Sequence, residues 1–264
     1  MDIKYTNKLF NRLIRLTEYY LKPENIIIKS EEQVIEVVNN YLLSRALGDL
    51  KAIKTLINSK LELEAALILK NLVEAYGDTN LKSIDLLNQT CLGIINVYKE
   101  ECTRRNNKYT LGGMIYKTKS IKSKITEKKD TGFNYQIYAA LNLIAHNNIL
   151  ALISITDDRG DFFIVGKTTT ILTQLIVCFT LFYYVNIFTN LVLFNKKEYN
   201  NSQYYLRCSR LVKDVKDYIV LMIDADLINK LTEIEKSKFY AKRIRILKRG
   251  LKEIRIKSKD IGVK

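Results

Sequence analysis

Between Lys167 and Lys196 the chain carries no charged side chain. This run restricts the fold more than any other feature, because so long an apolar stretch has to leave water over most of its surface. Two solutions exist. It can cross a bilayer, which takes about 20 mostly apolar residues, or it can lie inside a protein core. Thr168, Thr169, Thr170, Thr173, Gln174, Asn186 and Asn190 are scattered through it and favour the core. Asn186 divides the run into a helix-length piece, Thr168–Tyr183, and a strand-length piece, Asn190–Phe194. A membrane span over 168–195 is the competing reading.

The charge lies elsewhere, and it is uneven. The net charge is +15. From Arg104 to Lys129 there are nine basic residues and one acidic residue, Glu127. From Lys236 to Lys264 there are twelve basic residues and two acidic ones, Glu253 and Asp260. These two segments hold more than the whole excess, so the rest of the chain is slightly acidic. Such segments suit a polyanionic partner. In the first, Arg104, Arg105, Lys117, Lys119, Lys122 and Lys124 surround Gly112-Gly113, where backbone can approach a phosphate closely. In the second, Ile244, Ile246, Leu247 and Leu251 stripe a helix whose Arg243, Arg245, Lys248 and Arg249 stay available for phosphate. The same amphipathic pattern also suits an anionic membrane surface.

The apolar spacing divides the chain into three parts. Residues 1–102 read as helical: Leu9, Leu13, Leu16 and Tyr20 share one helix face, and Pro23 ends that helix. Helical pattern continues over 31–46 and 49–76, and Asp78-Thr79-Asn80 offers a cap for a further helix to about Cys102. Residues 103–235 read as α/β. Tyr135–Asn147 has helix spacing, Leu150–Ile155 and Phe162–Val165 are strand-like, and Tyr218–Ile223 is a continuous apolar run suited to a strand buried on both faces. Leu227–Glu235 reads as the helix that follows. Residues 236–264 form a basic helix or tail. The fold class expected is a doubly wound, mainly parallel sheet with a helical N-terminal extension.

Motifs for catalysis are weak. Gly166-Lys167-Thr168 follows a strand-like run, but a phosphate-binding loop needs glycine where Asp161 stands, and Gly160 is one residue early. Asp224 and Asp226 close the run Tyr218–Ile223 and could hold a metal; without a third acid, a loop or cap role is the better reading. Cys91, Cys102, Cys178 and Cys208 are far apart and His146 is the only histidine, so no zinc spacing is present. The cysteines read as reduced and buried. No enzyme activity, cofactor, metal or small-molecule substrate is expected.

The order of several short motifs resembles the universal small-subunit ribosomal protein S-two family, in a divergent organellar form. Leu111-Gly112-Gly113-Met114-Ile115-Tyr116-Lys117-Thr118 is similar to its glycine-rich basic entry. Ile164-Val165-Gly166-Lys167-Thr168, Tyr184-Val185-Asn186 and Ile223-Asp224-Ala225-Asp226 follow in the family's order. The resemblance spans roughly residues 109–235. It lacks the family's histidines and tryptophan in the first segment, its Arg-Trp pair, replaced by Ile187-Phe188, and its final strands. It implies a sheet-based domain that binds small-subunit ribosomal RNA beside neighbouring ribosomal proteins, as a structural constituent supporting translation. The abundance of Ile, Lys, Asn and Tyr, with no Trp and one Pro, fits an A+T-rich genome. A mitochondrion is the location the resemblance implies, with another organelle or a host cytoplasm as alternatives. The N-terminus, Met1-Asp2-Ile3-Lys4, lacks the apolar core of a secretory signal. The other function classes open at this point are a membrane-anchored protein and a non-enzymatic viral or plasmid nucleic-acid-binding protein.

Overall fold

The computed structural model describes residues 2–22, 34–80, 137, 141, 170–193, 202–235 and 241–260. Among these, every regular element is helical and none is a strand. The elements are α1 (Ile3–Tyr20), α2 (Val34–Asn58), α3 (Glu62–Asn80), α4 (Thr170–Phe188), α5 (Ser202–Met222), α6 (Ile228–Glu235) and α7 (Ala241–Asp260). Short π-helical turns extend α4 over Thr189–Leu193 and join α5 to α6 over Ile223–Leu227. The expected doubly wound parallel sheet is thus replaced, in the described residues, by a helical bundle.

The corrections have local causes. Asn186 does not break α4, because its Nδ2 donates to the Phe182 carbonyl one turn back at 2.7 Å. The amide is satisfied inside the helix, so the helix continues where a strand over Asn190–Phe194 was expected; residues 189–193 are helical. The run Tyr218–Ile223 is the end of α5 and the start of its π turn, not a strand buried on both faces. Leu221 in that run is 60% exposed. The preceding Cys208, Leu211, Val212 and Val215 are buried at helix spacing and carry the helix through it. In the N-terminal part, α2 passes unbroken through Gly48, since buried Leu43, Ala46, Leu50 and Ile53 keep one face on both sides of it. Asp78-Thr79-Asn80 continue α3, where Thr79 Oγ1 donates to the Tyr76 carbonyl, and the expected helix from there to about Cys102 lies outside the described residues. Within the expected helix Tyr135–Asn147, Ile137 and Leu141 are described, and both are buried. The expected strands Leu150–Ile155 and Phe162–Val165, the Gly166-Lys167-Thr168 motif and His146 lie outside the described residues.

The uncharged run forms the centre of the bundle. Every residue of α4 from Leu175 to Val185 is buried, as are Ile187 and Phe188. It packs against α2, α3 and α5, and Tyr76 of α3 meets the rings of Phe182 and Tyr183. Thr173 Oγ1 donates to the buried Glu62 carboxylate in the first turn of α3, 3.2 Å away. This helix is long and apolar enough to cross a membrane, yet 83% of its most apolar window is buried within the protein. Cys178 on α4 and Cys208 on α5 are free and buried. Burial pushes the Cys208 thiol up to about 11 and the Cys178 thiol further in the same direction, so neither is a thiolate nucleophile at neutral pH.

Helix α1 opens on Asp2, whose side chain accepts from the Tyr5 N–H at 3.1 Å. Its inner face, Leu9, Phe10, Leu13 and Tyr20, enters the shared core with residues from α2 to α7. Tyrosine hydroxyls from α4 and α5 then fix its position. The Thr17 hydroxyl gives its single proton to the Leu13 carbonyl, so Tyr184 is the donor in the 2.7 Å bond to Thr17 Oγ1. Thr6 meets Tyr218 at 2.6 Å, and Tyr204 donates to the Leu16 carbonyl at 2.8 Å. Removing one such buried donor, as in Tyr184→Phe, is expected to cost about 1 kcal/mol in urea unfolding.

Helix α2 ends in a left-handed cap. The Leu61 N–H bonds the Leu56 carbonyl, the Lys60 N–H bonds that of Ile57, and Lys60 sits at φ 60°. That conformation favours glycine. Lys60→Gly is expected to raise stability by about 0.5–1 kcal/mol, read as a higher urea midpoint with an unchanged slope.

Candidate nucleic-acid interface

Helix α7 buries Ile244, Leu251, Ile254 and Ser258 against the bundle. The spacing is helical, so the basic residues between them turn outward. Carboxylates of the preceding helix and turn hold it down. Glu235 Oε1 pairs with Arg245 Nε at 2.9 Å and Glu235 Oε2 with Lys248 Nζ at 2.8 Å. Arg255 Nε lies 2.7 Å from Asp224 Oδ1. The Asp224 carboxylate, a possible metal ligand by sequence, is therefore engaged by an arginine. Among the described residues no group of three His, Cys, Asp or Glu side chains could hold a metal ion.

These pairs fix a register. Residue 245 lies by 235 and residue 255 by 224, so α7 runs antiparallel to α5 and α6. Helix α1 is antiparallel to α5 as well: Tyr5 touches Tyr218, Arg12 pairs with Asp214 at 2.6 Å, and Tyr19 touches Tyr204. Helix α5 packs against both.

Exposed cations gather on these three helices. Helix α1 presents Lys4, Lys8 and Arg15, at intervals that keep them on one outward ridge. Helix α5 presents Arg207, Arg210 and Lys213, and α7 presents Arg249, Lys252, Lys257 and Lys259. Among the described residues no carboxylate forms an ion pair with any of these ten. Helices α2 and α3 differ, although α2 borders α1. Residues 34–80, which form α2 and α3, hold five basic and six acidic residues, and Lys51 there is paired with Glu18 at 2.6 Å. The bundle is therefore electrically polarised.

Of the residues expected to meet phosphate, Arg249 is exposed on the basic face. Arg245 and Lys248 are there too, but tied to Glu235. Arg243 lies in the first turn of α7. Arg104, Arg105, Lys117, Lys119, Lys122 and Lys124 lie outside the described residues. The cations of α1 and α5 were missed because the body sums to nearly neutral charge. Their signal was the helical spacing of 4, 8 and 15 and of 207, 210 and 213.

No family model matches this chain, and neither a curated protein nor a solved structure shows detectable similarity to it.

Lys248 and then Arg245 hold the Glu235 carboxyl below its usual range by hydrogen bonding. A lowered native pKa stabilises above the unfolded value and is lost as pH falls through the native one. The tether of α7 is therefore intact at neutral pH and weakens in acid. Glu235→Gln is expected to speed amide exchange in α7 at pH 7 with α4 unchanged, and acidification is expected to loosen the same helix in the wild type.

Proposed function

We propose that the protein is a non-enzymatic RNA-binding constituent of a ribonucleoprotein, holding phosphates on the face formed by α1, α5 and α7. The observation that carries this reading is the segregation onto three adjoining helices of ten exposed cations that no carboxylate among the described residues pairs. Clustered like charges repel one another at a cost that a polyanion relieves. Lysine and arginine charges position a nucleic-acid backbone without reading its bases, which suits a structural role. The basic segment around Lys117–Lys124 adds charge to the same partner.

The assembly proposed is the small subunit of an organellar ribosome, with its ribosomal RNA and neighbouring proteins as partners. This part rests on the sequence resemblance and on composition. The resemblance no longer has a sheet behind it in the described residues, since Ile223-Asp224-Ala225-Asp226 lies in a π-helical turn and Tyr184-Val185-Asn186 in a helix. The RNA reading therefore rests on charge. Co-sedimentation with small subunits at low salt supports the ribosomal assignment, and sedimentation away from them refutes it.

A membrane-anchored protein is the second reading, favoured by the length and apolarity of α4. The covering of α4 by its neighbours instead supports a core helix. Release from membranes by alkaline carbonate is expected; retention in the pellet would favour the membrane reading.

RNA affinity should fall steeply with salt. Reversing Arg207, Arg210, Lys213 and Arg249 to glutamate should flatten the plot of log affinity against log salt, by about 0.7–0.9 for each phosphate no longer neutralised. An unchanged slope would remove this face from the RNA. Tighter binding to duplex DNA than to any RNA would favour a DNA-binding protein instead.

A further inference from the structure

Glu235 is the last residue of α6. The carbonyl end of a helix carries partial negative charge, so a carboxylate there is repelled by its own helix. What holds it is α7. Arg245 Nε donates to one of its oxygens at 2.9 Å, and Lys248 Nζ donates to the other at 2.8 Å. Two cations three residues apart on the basic helix thus grip the two oxygens of one anion.

That geometry suits phosphate as well as carboxylate. A phosphodiester presents two oxygens that share one negative charge, and arginine and lysine bind it through the same charge-assisted hydrogen bonds. The clamp meets water on its arginine side, where Arg245 is 65% exposed against 22% for Glu235 and 20% for Lys248. Arg249 and Lys252, both exposed, continue the ridge one and two turns beyond Arg245, so a backbone lying on them reaches the clamp. Glu233 of α6 and Glu253 of α7 are exposed as well, but the ion pairs of Arg245 and Lys248 are both with Glu235. Pairs this close to water are weak, and a polyanion already held at neighbouring cations can replace them. Helix α7 does not depend on Glu235 alone, since Ile244, Leu251 and Ile254 are buried and Arg255 pairs with Asp224.

We propose that Glu235 is a built-in competitor for RNA: it fills a phosphate clamp formed by Arg245 and Lys248, and RNA binding along α7 exchanges its carboxylate for a backbone phosphate. This rests on the RNA-binding reading above and adds to it a defined phosphate site and a brake on that site. A small anion finds the clamp closed, whereas a strand anchored on Arg249 and Lys252 opens it.

The test measures binding of a uridine-rich RNA of about 12 nucleotides to the full chain by fluorescence anisotropy. Four forms are compared: wild type, Glu235→Gln, the pair Arg245→Gln with Lys248→Gln, and all three changes together. Glu235→Gln should tighten binding about fivefold when the clamp is present and leave it unchanged when the clamp is absent. Loss of the clamp should weaken binding and flatten the plot of log affinity against log salt by about 0.7, for one phosphate no longer neutralised. Glu253→Gln removes the same charge from α7 without touching the clamp and should leave affinity nearly unchanged. An equal gain from Glu235→Gln in both backgrounds, or from Glu253→Gln, would reduce the effect to overall charge and overturn the proposal. No gain from Glu235→Gln while amide exchange shows α7 still docked would overturn it too. Where that variant undocks α7, the wild type decides. Saturating RNA should raise the pKa of the Glu235 carboxyl, followed by NMR, more than that of Glu253, and an equal or smaller rise overturns the exchange. A wild type that binds no RNA would instead bring down the RNA reading itself.

Discussion

Every other helix is arranged by the need to keep α4 dry. A helix with an apolar stripe needs one neighbour, but α4 is buried on all sides and needs a ring of them. Helices α2 and α3 cover one flank and α5 another, and α1 reaches it through Thr17 and Tyr184. The neighbours are amphipathic because each faces α4 or the shared core on one side and water on the other. Even the buried hydroxyls follow from this constraint. Tyr184 lies where no water can reach, so its hydroxyl finds Thr17 instead, and burial raises its pKa.

The chain declared this helix plainly and concealed its surroundings. The absence of charge from Lys167 to Lys196 required burial, and Leu9, Leu13 and Tyr20 marked the inner face of α1. What was misread is the end of α5. Six apolar residues in a row, Tyr218 to Ile223, have no period, and a strand buried on both faces and a helix turn at a core edge write the same string. The decision lay upstream, in the helical spacing of Cys208, Leu211, Val212 and Val215. Asn186 misled for a related reason: a side-chain amide can be satisfied by the carbonyl one turn back, as Asn186 is by Phe182, and the helix then continues.

The site was half legible. Charge counted along the sequence finds α7, because its basic residues are contiguous. It cannot find α1 and α5, where acids on one face cancel bases on another. Asp214 neutralises Arg12 across the seam, and Asp224 neutralises Arg255. Those acids hold helices together while the outward cations meet no carboxylate among the described residues, so a nearly neutral segment still presents a positive face. Net charge is a sum over the segment, whereas a partner meets only one side of it.

The hydrogen bond between Thr6 and Tyr218 closes a loop of 212 residues. At about 5–20 residues per second, translation leaves α1 without its α5 partner for roughly ten to forty seconds after it emerges. During that time its apolar face, Leu9, Phe10 and Leu13, has nothing from α5 to cover it. The first helix made is thus the one whose docking must wait for the rest of the core. The topology makes folding late and non-local, dependent on the C-terminal half before the N-terminal helix can be sealed in place.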